Sequence, residues 1–142
     1  MTPDGFALAA TIILIFPMLY FQLVTPTFLL AKLTDPTVTW LLRGLFNTHF
    51  MIVSVGCAIG TVAFTVAGRP VVAVLFALIA GFAVWMRRWF RQHIDAELSA
   101  RDAGDADAIR RLRRLHWGGM LCNAVQLGVV IATVPLVFGT AA

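Results

Sequence analysis

The sequence predicts an all-α integral membrane protein folded as a four-helix bundle, and three observations carry that reading. Of its 142 residues, 60% are hydrophobic and only 13% are charged, whereas soluble domains carry roughly 25% charged residues. The mean hydropathy is +0.87, and the apolar residues are gathered into runs. Those from Gly5 to Ala31, Gly44 to Gly68 and Leu115 to Ala142 are free of charge, and each reaches the roughly 20 residues that cross about 30 Å of hydrocarbon as helix. A fourth, Pro70 to Met86, is shorter and is extended by Trp85, Trp89 and Phe90. The chain therefore reads as one transmembrane domain over 1–142, with spans at 6–31, 41–66, 70–90 and 115–138 and a charged hairpin at 91–114.

The first span contains Pro17 and Pro26, lacks a basic segment before it and exceeds a secretory core in length, so it reads as a retained helix. The prolines predict a distorted helix near Tyr20 and Gln22, with freed carbonyls. The first connection, "KLTDPTVTWLLRG", carries Lys32 and Arg43. The second is only "GRP", which makes the second and third spans antiparallel neighbours. The third, from Arg87 to Arg114, holds eight of the eleven basic residues, which places it on the cytoplasmic side of a bacterial inner membrane and both termini on the periplasmic side. Within it, Gly104 and the local aspartates predict two short helices, the second capped by Asp105 or Asp107 and running into span four. Trp40, Trp85, Trp89 and Trp117 fall at the same predicted ends, as an interfacial aromatic belt does.

The excess of base, with a net charge of +4, lies beside the spans. Its partner is the bilayer, with anionic headgroups met by the cytoplasmic arginines, rather than nucleic acid. Helix packing has candidate residues in Gly56 and Gly60 on span two and in Ala124, Gly128 and Ala132 on span four. Small residues four apart let backbones approach where lipid supplies no hydrophobic drive. They serve packing within the bundle or contacts in a homo-oligomer or with another membrane protein. Cys57 and Cys122 fall at different depths and read as packing residues.

No hydrolase elbow, phosphate loop, dinucleotide fingerprint or metalloprotease motif is present. Nor does Asp, Glu or Lys fall inside a span, which disfavours a pump built on a buried carboxylate. The informative residues are uncharged and polar. Counted inward from the cytoplasmic ends at about 1.5 Å per residue, Gln22 lies roughly 13 Å deep, Asn47 and His49 roughly 9 to 12 Å and Asn123 roughly 12 Å, with Gln126 a turn further. His116, Asn123 and Gln126 share one side of span four, with Gly119 leaving room between them for a neighbour or ligand. Asn47 and His49 sit about 200° apart on their helix, so only one of them faces a common pocket. Polar groups at one depth form either a structural network or a small cavity. A haem or metal held by His49 and His116 is disfavoured, because the two histidines sit at different depths with no carboxylate or thiolate beside them. No cofactor is assigned.

The segments "FPMLYFQLVTPTFLLAKL", "LFNTHF" and "LRRLHWGGMLCNAVQL" resemble small bacterial four-span proteins of the TMEM205-like group, the matching positions being Phe21, Pro26 and Phe28, then His116 and Asn123. That resemblance implies a four-helix membrane bundle and no established activity. The membrane glutathione-transferase superfamily is also four-spanned, yet its close histidine, asparagine and glutamate grouping is absent. The expected function is thus a non-enzymatic accessory or interaction protein, an oligomer or a subunit of a larger membrane complex. The alternative is a binding, transport or enzyme unit for a small lipophilic molecule, built on His49, Asn123 and Gln126 and opening toward the cytoplasmic leaflet.

Overall fold

The computed structural model describes residues 2–138; the end of the last apolar run, 139–142, lies outside them. Five helices account for nearly all of it: α1 (Pro3–Val24), α2 (Thr27–Leu30), α3 (Pro36–Val66), α4 (Pro70–Asp102) and α5 (Ala108–Phe138). Together with the single turn of α2, α1 makes one segment, and α3, α4 and α5 are each a further helix long and apolar enough to cross a membrane.

The helix boundaries follow from local chemistry. Pro3, Pro36 and Pro70 each occupy the first turn of their helix, where the missing N–H costs nothing. Thr2 caps α1 by accepting from the Gly5 amide at 3.2 Å, and Asp35 caps α3 through the Thr37 amide at 2.8 Å. At the other end, α1 stops because Pro26 cannot donate to the carbonyl four residues back. The Thr25 hydroxyl turns inward onto the Phe21 carbonyl, and the Thr27 hydroxyl donates to the Val24 carbonyl at 2.6 Å. Both tight reversals use a glycine with positive φ, Gly68 at 69° and Gly104 at 91°. Beyond each, the next amide closes back on the helix it leaves, Arg69 to the Phe64 carbonyl at 2.9 Å and Asp105 to the Ala100 carbonyl at 3.0 Å.

The connection between α4 and α5 differs from the expectation of two short helices. The break at Gly104 is where the sequence places it and the second flank runs into span four as expected, but the first flank is no separate helix and continues α4. No proline or glycine interrupts the chain from Phe82 to Ala103, so nothing stops α4 at the membrane surface. Its 33 residues extend for about 50 Å, well beyond the hydrocarbon.

In the bundle, α3 packs against α1 and α4, and α5 packs against the same two helices, so the four long helices form a closed ring. Phenylalanine fills the middle. Phe46 of α3 stacks on Phe90 of α4 at 5.0 Å between centroids, meets Phe21 of α1 edge-on at 5.2 Å and presents its edge to His116 of α5 at 5.7 Å. It reaches α5 because residue 119 is glycine, where a Cβ would overlap the Phe46 ring. Gly56 and Gly60 divide their work: a Cβ at 56 would lie 2.7 Å from Leu14 of α1, and one at 60 would overlap Phe76 of α4. Ala124, Gly128 and Ala132 instead face outward from α5, with nothing within 4 Å of a Cβ at Gly128. Large apolar side chains such as Ile13, Phe16, Leu23, Val71, Leu78 and Leu121 cover the exterior. In water such a surface would drive aggregation; in a bilayer it is the lipid contact.

The two ends of the bundle are tied by charge, unequally. At one end Arg69 bonds Asp4 at 2.9 Å and also meets the Leu136 carbonyl, joining the α3–α4 turn to α1 and α5. At the other, Arg43 makes a two-point pair with Asp95 at 2.5 and 2.8 Å, Arg101 reaches the Thr39 hydroxyl at 3.0 Å and the Leu33 carbonyl at 3.2 Å, and Arg111 bridges Glu97 and Asp105 at 2.7 and 2.6 Å.

Candidate intramembrane polar site

Among the described residues, the buried threonines Thr11, Thr39 and Thr133 bond carbonyls of their own helices, and four larger polar side chains are also buried inside the spans: His49 at 4% exposure, His116 at 1%, Asn123 at none and Gln126 at 5%. Helix α3 supplies the first and α5 the other three. The carboxamide of Asn123 is fixed by both of its N–H groups, one donating to the Met18 carbonyl at 3.0 Å and the other to Gln22 Oε1 at 2.9 Å. With its donors spent on α1, Asn123 turns a pure acceptor, Oδ1, into the bundle.

That acceptor has no partner. Neither have His49 Nε2, both ring nitrogens of His116, or either terminal atom of Gln126. Asn123 interacts with the His49 imidazole and the Thr25 backbone with that of His116, though neither contact has the geometry of a regular hydrogen bond. The remaining faces of the imidazoles are aromatic. His49 stacks on Phe21 with centroids 3.8 Å apart, and Phe46 stands edge-on to His116. A buried polar group left without a hydrogen bond costs about 1–3 kcal/mol, and the Gln126 carboxamide, with neither terminal atom paired, carries that cost most plainly.

A small cleft of 110 Å³ leads to this layer, lined by Pro17, Tyr20, Phe21, Leu45, Thr48, His49 and Ile52. Every one of those residues belongs to α1 or α3, so the cleft opens sideways between those two helices. Pro17 and Ile52 also border an apolar groove of 420 Å³ along the same two helices.

The sequence candidates separate in space. Gln22, His49, Asn123, His116 and Gln126 line the interior or brace it. Asn47 does not join them: its Oδ1 accepts from Arg87 Nε of α4 at 2.9 Å, which holds it on the opposite side of α3 from His49. The space beside Gly119 is taken by Phe46. Sequence reasoning named Phe21 only through a family resemblance, missed Phe46, which nothing distinguishes among the eleven phenylalanines, and missed Met18, which acts through its backbone. Among the described residues no three of His, Cys, Asp and Glu converge as metal ligands would. Cys57 is buried and Cys122 half-buried, and both are free thiols.

Fold and site together define a multi-pass helical membrane bundle with a polar layer in its core. Comparison with protein-family models, with curated proteins and with solved structures finds no match to the chain.

Proposed function

We propose that this bundle is a binding unit for a small lipophilic molecule whose polar head is received by the intramembrane layer of His49, Asn123 and Gln126. One observation carries the reading: six polar atoms in four buried side chains lack hydrogen-bond partners around a core otherwise packed with phenylalanine. An inert packing subunit gains nothing from unpaired imidazoles, and replacing such groups by apolar ones of similar shape is often neutral or stabilising. A ligand that hydrogen-bonds here offsets the penalty when it binds. Transport and membrane-bound chemistry use the same kind of site, and the polar layer suits either as a point of recognition.

In this reading the protein sits in a bacterial inner membrane with the arginine-rich end toward the cytoplasm and anionic headgroups, and both termini outside. The resemblance to the TMEM205-like group implies the same architecture. The accessory or subunit role is the second reading. The outward stripe of Ala124, Gly128 and Ala132 favours it, because small residues on a lipid-facing side suit close approach of another helix.

The test is native mass spectrometry of protein gently extracted from its own membrane, comparing wild type with His49→Phe. Phenylalanine keeps the stack on Phe21 and removes both ring nitrogens. The expected result is a reproducible adduct mass on the wild type that is absent from a folded variant. A bare wild-type protein, with the variant more stable than wild type, would refute the binding role. A partner protein retained by both would then assign the accessory one.

A further inference from the structure

The groove between α1 and α3 adjoins the polar cleft, and the two together have a shape that one class of ligand fits. Phe6, Ala9, Ala10, Ile13, Leu14 and Pro17 form its α1 wall, and Ile52, Gly56 and Ile59 its α3 wall. Pro17 and Ile52 border groove and cleft alike, so the volumes of 420 and 110 Å³ are neighbours along the same two helices. Gly56 and Leu14 face each other across the groove, too close for a Cβ at 56. From Phe6 to Pro17 the helix rises about 16 Å, the length of an extended chain of roughly a dozen carbons.

Chemistry at the two ends differs sharply. No charged residue lines either volume, and the groove walls are wholly apolar. At the inner end stand the Thr48 side chain and the His49 imidazole, whose Nε2 is buried and unpartnered. The small cleft has room for a compact head. A hydroxyl both donates and accepts, so it satisfies an imidazole nitrogen in either tautomer. An ionised head would be buried without a counter-charge, at high cost.

Resting on the binding role proposed above, we infer that the ligand is a single-chain amphiphile with a neutral hydroxyl head, which enters sideways from the lipid between α1 and α3. Its head seats against His49 and its chain lies along the groove toward the end of the bundle that Arg69 closes.

Photolabelling of the full-length protein in liposomes tests this, using a dodecanol that carries a diazirine along its chain, with the corresponding carboxylate as the comparison probe. Ala9→Phe plugs the groove from a half-buried position, and Ala132→Phe adds the same ring on the exposed face of α5. Thermal melting establishes that each variant is folded. The inference expects label on the α1 and α3 groove residues, lost in Ala9→Phe and in His49→Phe and kept in Ala132→Phe. The carboxylate at neutral pH should label at least about tenfold less, since its charge has no partner in the site. Label that survives Ala9→Phe, or maps to α4 and α5, while still vanishing in His49→Phe, overturns the lateral route and leaves the binding role standing. Equal labelling by both probes overturns the neutral head. Label indifferent to His49→Phe overturns the binding role itself.

Discussion

Phe46 and Gly119 lie far apart in the chain and answer one steric question between them. A Cβ at 119 would overlap the Phe46 ring, and that ring is held by Phe21, Phe90 and His116, so it cannot swing aside without disturbing three helices. Gly119→Ala is therefore expected to destabilise the bundle by about 1–3 kcal/mol, the usual cost of overpacking. Its neighbour is the control: a Cβ at Gly118 meets open space, and Gly118→Ala should be neutral or stabilising by up to about 1 kcal/mol through helix propensity. Unfolding of both variants in detergent micelles measures the difference, and equal stabilities would remove Phe46 as the hub. Residue-scale legibility has a clear limit. That His116, Asn123 and Gln126 share a side of one helix is written in their spacing. Which of Asn47 and His49 faces inward is not, because the choice is made by Arg87 arriving from α4 to take the Asn47 oxygen.

At the scale of the element, signals that start and stop helices were readable wherever they were local. Proline at a first turn and glycine at a reversal mark α3, α4 and the turn at Gly104 in the sequence itself. How far α4 projects was not readable, because charged residues end an apolar run without ending a helix. The reversal between α4 and α5 is held by Arg111, which grips Glu97 and Asp105. The Arg111 guanidinium, with the Asp107 amide, holds the Asp105 carboxyl below the usual carboxylate range. A carboxyl with a lowered folded pKa contributes stability that is present in full above the ordinary value of about 4 and lost as the pH falls through the lower folded one. Amide exchange across residues 100–108 should consequently stay constant from neutral pH down to about 4, after correction for intrinsic rates, and rise below it. Asp105→Asn should show the faster exchange at neutral pH, with little further change on acidification. A wild-type turn whose corrected exchange is flat through the acid range would show that the ion pair does not hold it.

At the scale of the whole molecule, the polar groups form two unlike ends and a middle. Ten of the eleven basic residues gather at one end: Lys32 and Arg43 join the eight between Arg87 and Arg114, and contacts from Arg43 to Asp95 and from Arg101 to the Leu33 carbonyl bring the two groups together. Arg69 alone is at the other, matched there by Asp4. Because the retained Lys and Arg of short segments decide which side stays in the cytoplasm, this imbalance predicts the orientation of every other feature. The predicted orientation would set the polar layer nearer the cytoplasmic face and the groove between α1 and α3 along the outer half. Single cysteines read it out. Ser99 is exposed on the projecting part of α4 and Thr2 is exposed at the start of α1, while the native Cys57 is buried and Cys122 lies half-buried within α5. In intact bacterial cells with a permeabilised outer membrane, a membrane-impermeant maleimide should label Thr2→Cys at once and Ser99→Cys only after the inner membrane is opened. The reverse pattern would invert the protein, put the arginines outside and move the mouth of the proposed groove to the cytoplasmic half. Labelling of both before lysis would mean that insertion is mixed, and that the charge imbalance, large as it is, does not set the topology.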